Sequence, residues 1–198
     1  MRKIGLMGGT FNPVHNAHLE IAKSAKKQYN LDEVIFMTSG NPPHKWDKDI
    51  LDAKTRHKMV ELAIAGIDCF YASDYEVKKT EYSYSAKTLE WLKEKNPYDK
   101  IYFMVGEDSL EYIDKWYHPE IILSLCTILV YPRTNMENLK KTVYDIKEKL
   151  GGEIYIIDAP VYDISSTDIR ARIRDNMDVS DMLNEKVLDY IIEKGLYK

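Results

Sequence analysis

The sequence predicts an α/β fold: a single domain built on a mainly parallel, doubly wound sheet. Three observations predict it. Short apolar runs recur at 4–7, 33–38, 101–105, 127–131 and 154–157. Amphipathic segments of helical period lie between them, and strands joined through helices run parallel with both sheet faces covered. Several of these runs also pass directly into a glycine or polar turn and then a helix start.

Taken in order, Ile4, Leu6 and Met7 open the chain as a strand, Gly8-Gly9 turns it, and a helix continues to about Tyr29, where Asn30 stops it. Glu33 to Thr38 is the second strand, a buried run bounded by Leu31-Asp32 and Ser39-Gly40. The prolines of Asn41-Pro42-Pro43 make Ser39 to Ile50 a loop. Asp52 to Ala65 is a helix with Met59, Leu62, Ala63 and Ile64 on its apolar side and Gly66 at its end. Phe70-Tyr71 and Tyr75 to Val77 read as strand, interrupted by Ser73-Asp74.

Ser83-Tyr84-Ser85 leads into a helix that Asn96-Pro97 closes. Ile101 to Val105 is a continuous apolar strand ending at Gly106-Glu107-Asp108, followed by a short helix over Ser109 to Lys115 and another from His118-Pro119. Thr127 to Tyr131 is the fifth strand, Met136 to Leu150 a charged amphipathic helix, and Ile154 to Ile157 the sixth strand. Ser165-Ser166-Thr167-Asp168 has the form of a capping box, and a last helix runs from about Asn184 to Lys194. This succession is Rossmann-like, with residues from about 165 to 198 forming a small C-terminal helical part of one domain, 1–198.

Composition narrows the function. The chain has 198 residues, a formal charge of −4 and a pI near 5.8, which disfavours a surface devoted to nucleic-acid backbone and leaves room for a small anionic substrate. Cys69 and Cys126 stand far apart without metal-ligand spacing, so the sequence predicts neither a disulfide framework nor a metal held by protein ligands, and a reducing cytoplasm is the expected setting. Met1-Arg2-Lys3 leads straight into a strand-like run too short for a signal peptide. The most apolar stretch, Ile121 to Val130, is far shorter than the roughly 20 residues that span a bilayer. Neither a membrane nor a nucleic-acid partner is expected, and a homo-oligomer is left open.

In a doubly wound sheet, ligands bind beyond the strand C-termini where the strand order reverses. The loops Gly8 to Asn12, Asn41 to Lys45, Gly106 to Asp108, Arg133 and Ser165 to Thr167 all leave strand C-termini and should converge there. The first loop contains neither GxxxxGK[ST] nor GxGxxG, which argues against a P-loop ATPase and a dehydrogenase. It reads GGTFNPVHNAH: glycines permit close backbone approach, and His15 and His18, three apart on one helix face, can aim at one polyphosphate.

These residues resemble the nucleotidyltransferase superfamily, whose signature has the form GxFxPxHxGH. Gly9, Phe11, Pro13, His15 and His18 match it, while Ala17 occupies the last glycine position and adds a methyl where the helix meets the ligand. A second signature, ISSTxxR, is matched by Ile164-Ser165-Ser166-Thr167-Asp168-Ile169-Arg170. Within the superfamily the chain is most similar to the bacterial nicotinate-mononucleotide adenylyltransferase family, through Asn41-Pro42-Pro43-His44-Lys45, Ser83-Tyr84-Ser85, Val105-Gly106-Glu107-Asp108 and Trp116-Tyr117.

The resemblance implies transfer of an adenylyl group from ATP to nicotinate mononucleotide. It implies that His15 and His18 contact ATP phosphates as the catalytic pair. Gly8, Gly9, Thr10, Phe11, Gly106, Asp108, Arg133, Ser165, Ser166, Thr167 and Arg170 bind ATP, while Lys45, Ser85, Trp116 and Tyr117 hold the mononucleotide. Mg²⁺ would accompany ATP, held mostly by the nucleotide and water. The alternatives are nicotinamide mononucleotide or phosphopantetheine as acceptor, and a nucleotide-binding module without catalysis.

Overall fold

The computed structural model describes residues 1–42, 50–133 and 136–198. Six parallel strands form one sheet: β1 Lys3–Gly9, β2 Glu33–Thr38, β3 Phe70–Ser73, β4 Lys100–Gly106, β5 Thr127–Tyr131 and β6 Ile154–Ile156. Their order is β3-β2-β1-β4-β5-β6, so the winding reverses between β1 and β4. That reversal is what opens a crevice at the carboxyl ends of these two strands.

Alternation along the strands divides the core in two. Met7, Phe36, Met104 and Leu129 face one side, covered by α1 (Asn16–Tyr29), α2 (Ala53–Ile64), α7 (Ser166–Arg174) and α8 (Glu185–Lys194). Leu6, Met37, Phe103 and Val130 face the other, covered by α3 (Ser85–Lys95), α4 (Glu107–Glu111), α5 (Pro119–Leu125) and α6 (Met136–Leu150). The expected doubly wound sheet is therefore present, with helices on both faces. The helix boundaries follow their cap chemistry: Asn30 and Gly195 take the left-handed conformation that ends α1 and α8, and Asp52 accepts from the N–H groups of Lys54 and Thr55. Among the described residues, no helix is long and apolar enough to cross a membrane.

Three expectations are corrected. Tyr75 to Val77 does not continue β3; residues 75–78 form a turn in which the Lys78 N–H donates to the Asp74 carbonyl at 3.0 Å. Its strand-like alternation serves packing on α3 instead: Tyr75 stacks on Trp91 at 3.8 Å, and Glu76 is buried where the Thr88 hydroxyl donates to it at 2.6 Å. Burial pushes the Glu76 carboxyl above the usual carboxylate range, against the pull of that hydrogen bond.

The helix expected over Ser109 to Lys115 starts at Glu107, directly off β4 with Gly106 as its extended cap, and gives way after Glu111 to a 3₁₀ turn at Ile113–Lys115. Ser83 does not cap α3, whose cap residue is Tyr84. The Ser83 hydroxyl accepts from the N–H groups of Gly40 (3.0 Å) and Asn41 (3.3 Å), tying the start of α3 to the loop after β2.

Gly40 passes so close to the Tyr75–Lys78 turn that a Cβ there would overlap the carbonyl oxygen of Glu76. Backbone cannot yield as a flexible side chain does. Gly40→Ala should therefore destabilise the fold by about 2 kcal/mol or more, read as a lowered midpoint in urea unfolding.

Candidate active site

β1 ends at Gly9, and residues 10–13 leave it as irregular backbone. Phe11 adopts φ +49° and folds its ring back over Gly9, where a Cβ would meet the Phe11 Cε1 at 2.8 Å; glycine is required by this contact. The Phe11 ring is buried, edge-on to His18 at 5.1 Å and against Phe36 at 6.0 Å. What Phe11 presents to a ligand is therefore its main chain.

His15 caps α1, and its backbone N–H donates to the His18 Nδ1 at 3.2 Å. An accepting Nδ1 carries no proton, so in neutral His18 the proton sits on Nε2, which becomes the outward donor. The two rings lie 3.7 Å apart. His15 is 7% exposed, its Nδ1 is buried without a hydrogen-bond partner among the described residues, and burial, with a smaller contribution from the Arg133 charge, pushes its pKa down to about 4. At neutral pH it is an uncharged imidazole. The methyl of Ala17 is buried in the first turns of the same helix.

The second motif reaches the first by hydrogen bonds. Ser165 caps α7, accepting from the Asp168 N–H at 3.0 Å, as the capping-box pattern anticipates. The Ser166 hydroxyl donates to the Pro13 carbonyl at 2.8 Å and the Arg170 Nη1 to the Asn12 carbonyl at 2.9 Å. Two segments more than 150 residues apart thus form one anion-facing wall with two helix N-termini. Thr167 lies exposed on the first turn of α7.

Across the crevice, β4 ends at Gly106, where a Cβ would meet the Asp108 Oδ1 at 2.6 Å and the Tyr131 hydroxyl at 3.1 Å. Asp108 pairs with the Arg133 guanidinium at 3.3 Å, and the buried Glu107 carboxylate accepts from the Arg133 backbone N–H at 2.8 Å. Glu107, quoted with its segment in the sequence but given no role there, accepts the hydrogen bond that holds the Arg133 main chain.

Further along the crevice Tyr117 is exposed and stacks on Tyr84 at 4.5 Å, beside Ser85, the first residue of α3. Trp116 is half-buried, edge-on to Phe103 at 6.4 Å, and a Cβ on Gly8 would touch that same phenylalanine ring at 3.4 Å. Phe103 is thus the bridge between the aromatic group and the glycine turn. Lys45, with Pro43 and His44, lies outside the described residues. A separate cleft of about 610 Å³, flanked by Lys23, Lys26 and Lys27, opens at the amino ends of β2 and β3, the opposite end of the sheet from all of these groups.

Sequence reasoning missed Arg56. It is 1% exposed and donates to the carbonyls of Thr10 (2.6 Å), Leu51 (2.8 Å) and Gly40 (3.1 Å). The signal was its phase: Arg56 recurs with Met59, Val60 and Ala63 on the buried side of α2. Tyr197 was also missed; its hydroxyl donates to the Asn12 Oδ1 at 3.0 Å, and no periodic pattern marks it.

A doubly wound sheet with N–H and imidazole donors gathered at its switch point defines a nucleotide-binding α/β protein. The chain belongs to the cytidylyltransferase-like family, whose family model matches residues 6–172. It is 43% identical over 200 residues to a probable nicotinate-nucleotide adenylyltransferase of Clostridium novyi, with both chains covered completely. A protein of the same name from Clostridium botulinum strain Loch Maree is 40% identical, with 98% of each chain covered. The fold matches that of Plasmodium falciparum nicotinic acid mononucleotide adenylyltransferase complexed with NaAD, at a TM-score of 0.80 and 22% identity over 100% of this chain and 98% of that one.

The depressed pKa of His15 has a consequence for stability. Between pH 6.5 and about 4 the unfolded chain binds a proton at this residue that the folded chain does not. The stabilisation is therefore complete above pH 6.5 and is lost as pH falls toward 4, by on the order of 3 kcal/mol. Urea unfolding of wild type and His15→Asn should diverge in slope across that window and run parallel above it.

Proposed function

We infer that this chain is a nicotinate-nucleotide adenylyltransferase, which transfers the adenylyl group of ATP to nicotinate mononucleotide and yields deamido-NAD and pyrophosphate. The observation that carries the reading is the junction of the two motif segments, where Ser166 and Arg170 hold the Pro13 and Asn12 carbonyls and set both helix N-termini beside His15 and His18. Full-length relatives of the same name support the acceptor.

The mononucleotide phosphate is already a nucleophile at neutral pH, so the reaction needs no activated side chain and no general base. Its oxygen forms a bond to the α-phosphorus as the bond from that phosphorus to the α–β bridging oxygen breaks, and the electron pair leaves on pyrophosphate. The protein's part is alignment and stabilisation of the departing charge. His18, with its proton fixed on Nε2, donates to the phosphates, and neutral His15 donates beside it without the repulsion that two stacked imidazolium rings would suffer.

The N-terminal amides of α1 and α7, with Arg170, receive the rest of the triphosphate. Asp108 exchanges its Arg133 partner for the adenosine ribose, and Gly106 leaves room for the sugar. Trp116 stacks on the pyridine ring, Ser85 and the main chain at Tyr117 face its carboxylate, and Lys45 takes the mononucleotide phosphate. The donor set is rich in N–H groups and, among the described residues, its exposed carboxylates Asp108 and Asp168 are paired with Arg133 and Arg172, which fits an Mg²⁺ carried in by ATP and water rather than caged by protein. When bound, that ion neutralises charge on the leaving pyrophosphate. The two free thiols, Cys69 and Cys126, support a cytoplasmic setting.

The test is pyrophosphate release from Mg-ATP with nicotinate mononucleotide, nicotinamide mononucleotide and phosphopantetheine side by side. Nicotinate mononucleotide should be turned over fastest, and comparable rates with the amide would overturn the acceptor assignment. His18→Ala should lower kcat about 100- to 1000-fold, the usual cost of one transition-state donor, with an unchanged circular dichroism spectrum. Retained activity would remove His18 from its role.

A further inference from the structure

We propose that Arg56 is a positioning residue for both substrates, a single guanidinium that holds the phosphate-binding turn and both flanks of the loop expected to carry the mononucleotide phosphate. Its three hydrogen bonds go to three separate segments: Thr10 after β1, Gly40 after β2, and Leu51 just before α2. Gly40 and Leu51 stand on either side of residues 43–49 in sequence, and Thr10 belongs to the turn that precedes His15. The planar fork of guanidinium N–H groups is the one side chain that reaches three carbonyls at fixed mutual angles.

Its charge is met by dipoles rather than by an ion pair. Among the described residues no carboxylate lies within ion-pairing distance of Arg56. Asp52 is engaged with the Lys54 and Thr55 N–H groups and the Thr55 hydroxyl, and Glu76 with the Thr88 hydroxyl; both act on the guanidinium only through space. A cation at 1% exposure, held among the described residues by carbonyls, is an expensive element for a fold that needs only to fill space.

Its placement gives it a use. The Thr10 carbonyl shares its peptide group with the N–H of Phe11, and a carbonyl that accepts from a cation polarises its peptide and strengthens that N–H as a donor. The positive charge is thereby passed through the backbone toward the phosphate site without a side chain entering it. A second bond ties the same segments: the Leu51 N–H donates to the Asn12 Oδ1 at 3.3 Å.

The proposal uses the adenylyl-transfer reading only to name the ligands. Arg56→Lys keeps the charge and loses the fork; Arg56→Met keeps most of the bulk and loses both. Assayed below their unfolding temperatures, both variants should raise KM for ATP and for nicotinate mononucleotide together, by tenfold or more. Unchanged KM values in a variant whose melting temperature alone has dropped would reduce Arg56 to a structural residue, and a rise for one substrate only would overturn the joint role.

A measurement on the wild type covers the case in which neither variant folds. The non-hydrolysable analogue α,β-methylene-ATP, bound alone, should slow amide hydrogen exchange at Asn41 and Leu51 as well as at Phe11. Protection confined to Phe11 and its neighbours would sink the proposal. This arm needs no turnover, so a wild type inactive with nicotinate mononucleotide would refute the assigned reaction while leaving Arg56 separately tested.

Discussion

Irregular backbone that runs through a protein interior must still pair its carbonyl groups, and residues 9–13 show how much structure that requirement can command. The Gly9 carbonyl accepts from the Ser39 N–H, that of Thr10 from Arg56, that of Asn12 from Arg170 and that of Pro13 from Ser166. An unpaired buried carbonyl costs on the order of 1–3 kcal/mol, so each donor is a condition of the turn's shape. Those donors come from the end of β2, from α2 and from α7. The turn therefore gathers the sheet's carboxyl edge around itself, with four of its carbonyls paired inward.

The same logic sets the electrostatics of the crevice. A P-loop carries a lysine; here two imidazoles stand at the head of α1, one buried and uncharged and the other with its neutral tautomer fixed by a backbone N–H. Two guanidinium groups near the crevice are engaged within the protein. Arg56 donates to the Thr10 carbonyl and Arg133 is paired with Asp108.

Much of this was legible in the residues. Six strands, the caps at Asn30 and Gly195, and the link between Ser165 and Asp168 follow from propensity and local side-chain chemistry, which act over a few positions. The turn at Tyr75–Lys78 was misread because Tyr75-Glu76-Val77 carries strand-like alternation, and the interaction that overrides it, Glu76 with Thr88, spans 12 residues. Arg56 was visible only as an oddity of phase on α2, and its partners cannot be named before the loops are folded together. Ser83 was read as part of a helix start because serine favours that position, whereas its hydroxyl serves a loop 43 residues earlier. What the sequence hides is long-range pairing of polar groups, which leaves no period.

The bonds that complete the turn after β1 also order events in time. Ser166, Arg170 and Tyr197 reach back across 153, 158 and 185 residues to Pro13 and Asn12. During synthesis the glycine turn leaves the ribosome more than 150 residues ahead of three of the groups that bond to it. Contacts so distant in sequence raise the contact order, which slows folding. A nascent chain can assemble β1, α1 and β2 early, but the Asn12 and Pro13 carbonyls gain their donors only when α7 docks, so the shape of the turn is completed by chain made much later.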